Sequence, residues 1–395
     1  MPYAELFDEA WNAASNTLFN VALVTYLAAM VAYFFRMAFT RVSADGVQAS
    51  TVWGRRVGVL ATVLAAAGVA VHFASIGARW VAAERVPWSN MYEYSSALAA
   101  LAVLIGLVVV QRRYRFAHLM GFVLALAVII MAVGLMLYTD PGPLQPALQS
   151  WWIQVHVTGA MVASSIFIVA FAATGLYLVK DTAERRLAER SGAAYGGSTV
   201  GAARIGAPGE ESETAGRPDD EVAIDAGAER AIEAPATAQR DVLSPVLFPV
   251  VPFVVTLAYV LAVWQAPVEA LLAASVAALL GMSVWYAVPY LPSAAQLDNL
   301  AYRTVAFGFP IWTFAVIAGA IWAEEAWGRY WGWDPKETGS FVTWVLYAGY
   351  LHARATRGWR GRGAAWIGIV AFIALMVTFY VVNLFIVGLH SYAGV

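Results

Sequence analysis

The residues best suited to chemistry in this chain are concentrated in one tryptophan-rich run. From Trp327 to Glu337 the sequence reads Trp-Gly-Arg-Tyr-Trp-Gly-Trp-Asp-Pro-Lys-Glu, which places three indoles beside two glycines. Trp327 and Trp331 have the spacing of one helical face, and glycines let a flat ligand approach the backbone. Together with Trp333 they are predicted to form the floor of a site for a planar macrocycle. The alternative is an interfacial aromatic belt, but a belt scatters its aromatic residues over many helix ends.

Two acids close the same run and have a structural interpretation of their own. Asp334 stands before Pro335, and Glu337 follows three residues after Asp334. This order matches a capping box with proline at the first helical position. The acids are therefore predicted to start the next helix, while they also border the predicted ligand site.

The chain holds few nitrogen or sulfur ligands for a metal. It contains five histidines and no cysteine. The lack of cysteine excludes thiolate metal sites within this chain, so a partner must supply any thiol chemistry. The histidines are His72, His118, His156, His352 and His390.

The elements that must position these residues are membrane helices. Of 395 residues, 61% are hydrophobic and only 13% are charged. Runs of roughly 20 apolar residues, enough to cross a bilayer, recur along almost the whole length. The net charge of −2 gives no indication of nucleic-acid binding. The fold class is thus predicted as an all-α polytopic transmembrane bundle of about ten spans. Their centres lie near residues 25, 66, 103, 127, 166, 255, 278, 313, 347 and 376.

Basic residues predict the orientation and the organisation of the chain. Arginine-rich connections follow alternate spans, so the positive-inside rule places these connections in the cytoplasm and both termini outside. The first span is read as a retained helix, because no small-residue cleavage site follows it. Residues 181–243 are predicted to form a disordered cytoplasmic linker between membrane halves 1–180 and 244–395. The tryptophan-rich segment, residues 324–340, then lies on the outer side.

This topology sorts the histidines by depth. His156 begins a span on the outer side and His390 follows the last span there, so both border the tryptophan-rich segment. His352 lies 18 residues after the capping aspartate, or roughly 27 Å deeper along a helix. His118 is predicted at a similar depth, whereas His72 lies in the outer half of its span. Without further information, interfacial histidines are more often simple polar anchors.

The run Trp327–Glu337 resembles the WWD signature of heme-handling proteins in cytochrome c maturation. Three further stretches, Pro87–Glu93, Trp152–Val157 and Gly388–Ala393, are similar to the CcsA/ResC family of System II cytochrome c synthases, whose actinobacterial members are often labelled CcsB. The resemblance covers most of the spans but not the linker. It implies a membrane subunit of a heme lyase complex that exports or presents heme b for thioether attachment to the CxxCH motif of apocytochrome c.

The same resemblance implies roles for individual residues. His156 and His390 correspond to the family's external ligands of heme iron, for which neutral imidazole is well suited. His352 corresponds to the ligand of a second, intramembrane heme, whose other ligand a partner usually supplies. His118, favoured by depth over His72, is the alternative within this chain. The implied partner is a ResB-type (elsewhere CcsB-type) membrane protein, in the cell membrane, with the active face outside the cytoplasm.

Heme also carries two propionates, which favour cations nearby. One candidate pair, Arg329 and Lys336, flanks the indoles. The other pair, Arg79 and Arg85, lies in the connection before Pro87–Glu93. The sequence leaves both pairs open.

Two other functions are compatible with the same residues. One is a heme transporter or chaperone without lyase activity, although the sequence contains no inverted repeat or broken-helix pair that would favour transport. The other is a membrane b-type cytochrome, which needs paired histidines on facing spans at two depths. Five scattered histidines provide at most one such internal pair.

Overall fold

The computed structural model describes residues 3–42, 48–142, 148–192, 195, 238–356 and 361–390. Regular structure in these residues is helical apart from one β-hairpin, in which β1 (Thr40–Val42) pairs antiparallel with β2 (Gln48–Ser50). A π-helical turn, Gly106–Arg113, continues α3, and a second one, Val377–Val381, joins α11 to α12. The helices are α1 (Tyr3–Ala38), α2 (Val52–Ala83), α3 (Met91–Ile105), α4 (Met120–Met136), α5 (Trp151–Ser191), α6 (Ala238–Asp241), α7 (Leu247–Trp264), α8 (Pro267–Ala287), α9 (Ala294–Trp327), α10 (Pro335–Ala355), α11 (Arg362–Met376) and α12 (Val382–Phe385).

Eight helical segments of the described chain are long and apolar enough to cross a membrane, rather than the ten predicted. They are Glu9–Ala38, Val52–Ala83, Met91–Arg113, Ala117–Met136, Trp151–Ser191, Pro267–Tyr290, Ala294–Trp327 and Arg362–Phe385. The other two predicted spans, centred near 255 and 347, are the helices α7 and α10. α7 has only 18 residues with Pro252 inside it, and α10 has charged or polar residues in its first and last turns. Both therefore offer shorter apolar runs than a bilayer requires.

The chain forms two compact units. The first comprises Met1–Arg36, Gly54–Gly175 and Leu300–Val395, and the second comprises Met37–Trp53 and Leu176–Asn299. The first unit thus draws on both of the membrane halves predicted from the sequence. It contains every histidine, because the five positions all fall within its ranges.

In the second unit, α7 and α8 form a hairpin. A Cβ at Gly281 would collide with the Phe248 carbonyl, so the glycine allows the two backbones to approach closely. The buried Lys180 ammonium donates a hydrogen bond of 2.9 Å to the Val288 carbonyl. α5 continues to Ser191, so residues 181–191 are helical, whereas most of the predicted linker 181–243 lies outside the described residues.

In the first unit, close packing of α5 against α9 places the start of α5 beside the tryptophan-rich segment. A Cβ added at Gly159 would lie 3.1 Å from the Ala315 Cβ, and one at Gly308 would lie 2.9 Å from Ile166. Small residues at such contacts let membrane helices approach each other and gain dispersion contacts. The two glycines therefore determine how near the side chains of α5 come to the backbone of α9.

Candidate functional site

A cavity of about 490 Å³ lies inside the first unit. This volume is within the range of pockets that bind small molecules and cofactors. Much of its wall is apolar and comes from α5, α9 and the residues after α11, including Trp312, Trp322 and Phe379. Six of the candidate site residues predicted from the sequence line it, namely Arg85, His156, His390, Trp331, Lys336 and Glu337.

His156 lies in the second turn of α5, and its tautomer follows from its hydrogen bond. Its Nδ1 is 2.7 Å from the Ala315 carbonyl oxygen of α9. A carbonyl can only accept, so Nδ1 carries the proton and Nε2 carries the lone pair. The absence of a side chain at Gly319 makes this position possible, since a Cβ there would be 2.6 Å from Nδ1. His156 is thus held in the tautomer that can coordinate a metal through Nε2.

His390 follows the last helix and reaches the same tautomer through a carboxylate. Its Nδ1 lies 2.6 Å from Asp334 Oδ2, and Asp334 Oδ1 accepts the Leu389 N–H at 2.7 Å. Burial and the nearby Lys336 ammonium lower the pKa of His390 to about 4. Burial acts to raise the pKa of Asp334, but the hydrogen bonds from Leu389 and His390 outweigh it and lower that pKa. At neutral pH a neutral imidazole therefore donates Nδ1–H to a carboxylate and carries its lone pair on Nε2.

The three predicted indoles have three different surroundings. Trp327 packs edge-to-face on His390, with ring centroids 4.8 Å apart, and Trp331 lines the cavity. Trp333 is 63% exposed and packs against Phe341 rather than into the cavity. The shared helical face predicted for Trp327 and Trp331 is wrong. α9 ends at Trp327, and Gly328 adopts a left-handed φ of +69° that stops the helix.

The predicted capping box is confirmed. Asp334 is the N-cap of α10, Pro335 is its first residue, and the Glu337 side chain accepts the Asp334 N–H at 3.0 Å. Glu337 also accepts the Gly332 N–H at 2.8 Å. Asp334 therefore both starts a helix and holds a histidine, while Glu337 fixes the loop that carries Trp331.

The cations of the first candidate pair differ in position. The Arg329 guanidinium donates to Glu337 at 3.2 Å and lies over the Trp327 ring at 5.8 Å. It packs where a Cβ at Gly332 would stand, and it does not line the cavity. Lys336 does line the cavity, and within the described residues its ammonium makes no ion pair.

The two arginines of the second candidate pair, Arg79 and Arg85, also differ in position. Glu93 pairs with Arg79 at 3.0 Å and with Arg85 at 2.9 Å, and all three side chains are largely buried. Two cations around one carboxylate leave one net positive charge. Arg79 points away to Asn12 and the Thr139 carbonyl, whereas Arg85 lines the cavity. Each predicted pair thus contributes one cation to the cavity, Arg85 and Lys336.

The other three histidines do not line this cavity. His352 is exposed in the last turn of α10, at the opposite end of that helix from Asp334. His72 is fully buried in α2, with Nε2 3.0 Å from the Ser96 hydroxyl. His118 is buried in a short 3-10 turn before α4.

Sequence reasoning missed Trp322, which lies outside the segment 324–340. Its indole is 1% exposed and lies nearly parallel to the His156 ring, with centroids 6.4 Å apart. The same indole meets His390 edge-to-face at 5.5 Å. Its position five residues before Trp327 gives no helical-face signal, because five is not one of the three- or four-residue spacings that mark a shared face.

Comparison with known proteins shows the family of the chain. The family model for cytochrome c assembly proteins matches residues 88–390, a range that includes the whole cavity wall from Trp88 onward. The cytochrome c biogenesis protein CcsA of Gloeothece citriformis is 33% identical over 339 residues, covering 83% of this chain and 87% of that protein. The CcsA protein of Trichormus variabilis is 32% identical over 83% of this chain and 88% of its own length.

A shorter match has a higher identity. The CcsA protein of Gloeobacter violaceus is 56% identical over 99 residues, which is 25% of this chain and 29% of that protein. The family model covers well over half of the chain, and the full-length relatives are matched along most of their own length. The chain is therefore a multi-pass membrane protein that belongs to the cytochrome c assembly protein family and is a homologue of the CcsA cytochrome c biogenesis proteins.

Proposed function

We propose that this protein binds heme b in the cavity of the first unit and presents it for covalent attachment to apocytochrome c. The observation that carries the proposal is the pairing of His156 and His390 on one cavity, each with Nδ1 tied to an acceptor. Hydrogen-bond partners of this kind orient metal-ligating histidines and fix the coordinating nitrogen. Within the described residues, no cluster of three or more His, Cys, Asp or Glu could hold a bare metal ion. Two imidazoles suit the axial positions of heme iron instead.

The remaining cavity wall fits a porphyrin with two carboxylates. Trp331 and the apolar residues of α5 and α9 provide flat and hydrophobic surface. Lys336 and Arg85 provide positive charge for the two propionates, since charge-assisted hydrogen bonds to carboxylates are strong. Arg329, Asp334 and Glu337 support the site by contacts within the protein. Asp334 holds His390, and Glu337, paired with Arg329, holds the loop that carries Trp331.

The chemistry of attachment comes from heme and from the acceptor protein. Heme supplies two vinyl groups, and each cysteine thiol of a CxxCH motif adds its sulfur to one vinyl carbon and its proton to the other. This chain has no cysteine, so both thiols belong to the acceptor. The role of the chain is to orient the substrate, exclude water and hold the iron through His156 and His390 until the acceptor histidine replaces one of them. A general acid or base is not required from its side chains.

The wider assembly belongs to the same proposal. The cavity opens on the outer side of the cell membrane, and a ResB-type partner completes the synthase. His352 contributes to an intramembrane heme on the route from the cytoplasm, with the second ligand on that partner. The exposure of the His352 side chain at the end of α10 supports this role, because an exposed imidazole is accessible to a second chain.

The test is covalent heme attachment in a host that lacks the pathway. The chain and a ResB-type partner are produced together with an apocytochrome c, and heme-stained holocytochrome is measured. We expect product with both proteins, none with the partner alone, and a strong decrease in His156→Ala and His390→Ala that added imidazole reverses in part. If the protein binds heme but yields no holocytochrome in the presence of its partner, the lyase role is contradicted and a heme transporter or chaperone is favoured.

A further inference from the structure

The aromatic contacts of Trp322 distinguish it from every other indole at the cavity. Of the aromatic pairs in the described residues, those of Trp322 alone include both His156 and His390. The first pair is nearly parallel at 11° between ring planes, whereas the second is inclined at 62°. Because one imidazole follows the indole plane and the other is steeply tilted from it, the two imidazole planes cannot be parallel.

We propose that Trp322 is a positioning residue that sets the mutual inclination of the two axial imidazoles, an inference that rests on the proposed heme site. The hydrogen bonds at Nδ1 fix which nitrogen coordinates, but a single hydrogen bond leaves each ring able to rotate about its own axis. A rigid indole against both rings removes that freedom. Trp322 is suited to this role because its own position is fixed by a buried cluster with Leu148 and Ile153 and by edge-to-face contact with Trp327.

The inclination matters for the state of the iron. Parallel imidazole planes and steeply inclined planes split the iron d orbitals differently, so the g values of ferric low-spin heme report the arrangement. Inclined ligand planes give a strongly anisotropic signal, and parallel planes give a rhombic one. A protein that imposes inclined planes therefore tunes its iron through ring orientation, in addition to the choice of ligand.

The experiment is electron paramagnetic resonance of the heme-loaded full-length protein, as wild type, Trp322→Phe and Trp312→Phe. Trp312 is the matched control because it is also buried in α9 and lines the same cavity, yet it packs on Phe167 rather than on a histidine. We expect a strongly anisotropic low-spin signal in wild type and in Trp312→Phe. In Trp322→Phe we expect a shift toward the rhombic signal, which added imidazole does not reverse. A general loss of stability would reduce the amount of bound heme without moving the g values of what remains.

Several outcomes would overturn the inference. A rhombic signal in wild type would do so without any variant, which keeps the test decisive if Trp322→Phe does not fold. Unchanged g values in Trp322→Phe would also do so, because the inclination would then not depend on this ring. Equal shifts in both variants would do the same, because cavity volume rather than ring contact would then be responsible. Wild-type protein that binds heme without a bis-histidine low-spin signal would instead contradict the proposed function itself.

Discussion

The two sides of the cavity hold their histidines in the same tautomer by different means. On the α5 side, His156 donates to a backbone carbonyl of α9 and stands against Gly319. On the α10 side, His390 lies beyond the last helix and donates to the side chain of Asp334. A backbone acceptor cannot be removed by substitution, whereas a carboxylate can. The first ligand therefore depends on the packing of two helices, and the second depends on one residue of the tryptophan-rich segment.

The largest effect is expected at Asp334, because a substitution there removes the support of His390 and leaves that of His156 in place. Asp334→Ala removes the acceptor of His390, the acceptor of the Leu389 N–H and the cap of α10. Loss of such a supporting partner typically costs about 10–100-fold in metal-site affinity, and loss of the cap costs about 1 kcal/mol of stability. Heme titration and thermal unfolding measure the two effects. Asp334→Asn keeps an oxygen acceptor and should lose less affinity, and equal affinity in both variants would show that the carboxylate does not hold His390.

The α5 side is tested by a substitution that changes no chemistry. Gly319→Ala places a Cβ where the His156 ring now stands, so the imidazole must move or the helices must separate. Overpacking of this kind costs about 1–3 kcal/mol, and we expect a similar loss in heme affinity together with a rise in high-spin heme. Gly349→Ala in α10 is the control, because a Cβ there meets nothing within 4 Å. A bis-histidine spectrum in Gly319→Ala identical to that of wild type would disprove the packing argument.

A smaller effect is expected at the two cations of the tryptophan-rich segment, of which Lys336 lines the cavity and Arg329 does not. Lys336→Gln removes a charge from the cavity, and a lost charge-assisted hydrogen bond to a propionate is worth about 1.5–3 kcal/mol of binding. Arg329→Gln removes a charge that pairs with Glu337 and does not line the cavity. Heme titration should therefore show weaker binding in Lys336→Gln than in Arg329→Gln. The reverse order would assign the propionates to Arg329.

The smallest effect is expected at Trp333. Its ring is exposed and packs on Phe341 and Trp331, and none of its aromatic contacts in the described residues is with a histidine. Trp333→Phe keeps an aromatic ring there, so heme affinity and stability should stay within about 0.5 kcal/mol of wild type, as for most surface substitutions. Trp331→Phe is the comparison, because Trp331 lines the cavity and its substitution should weaken heme binding more. Equal losses in the two variants would contradict the conclusion that Trp331 lies at the ligand site and Trp333 does not.

The sequence was informative wherever residue type carried the signal. The capping box was predicted because Asp334, Pro335 and Glu337 are types with strong positional preferences. The same preferences could not show that Asp334 also holds His390, which depends on a contact between residues 56 positions apart. The acceptor of His156 is the backbone carbonyl of Ala315. Because every residue has such a carbonyl, residue type could not indicate which one accepts this hydrogen bond.

The errors have equally specific causes. The helical face predicted for Trp327 and Trp331 assumed that α9 continues, but the left-handed backbone at Gly328 ends it. The spans predicted near residues 255 and 347 exist as the helices α7 and α10, yet polar ends and limited length exclude them from the eight candidate spans. The role of Trp322 depends on its position between two histidines from distant parts of the chain, so it could be seen only once the chain was folded.

The measurement that tests the central claim most directly is the heme absorption spectrum of the purified protein, compared with His156→Ala and His390→Ala. Coordination by both histidines predicts a low-spin bis-histidine spectrum in wild type, its loss or weakening in each variant, and its return when imidazole fills the space that the side chain left. A wild-type spectrum in both variants would show that neither histidine binds the iron. The heme would then lie elsewhere in the chain, and a b-type cytochrome built on His352 would be the better explanation.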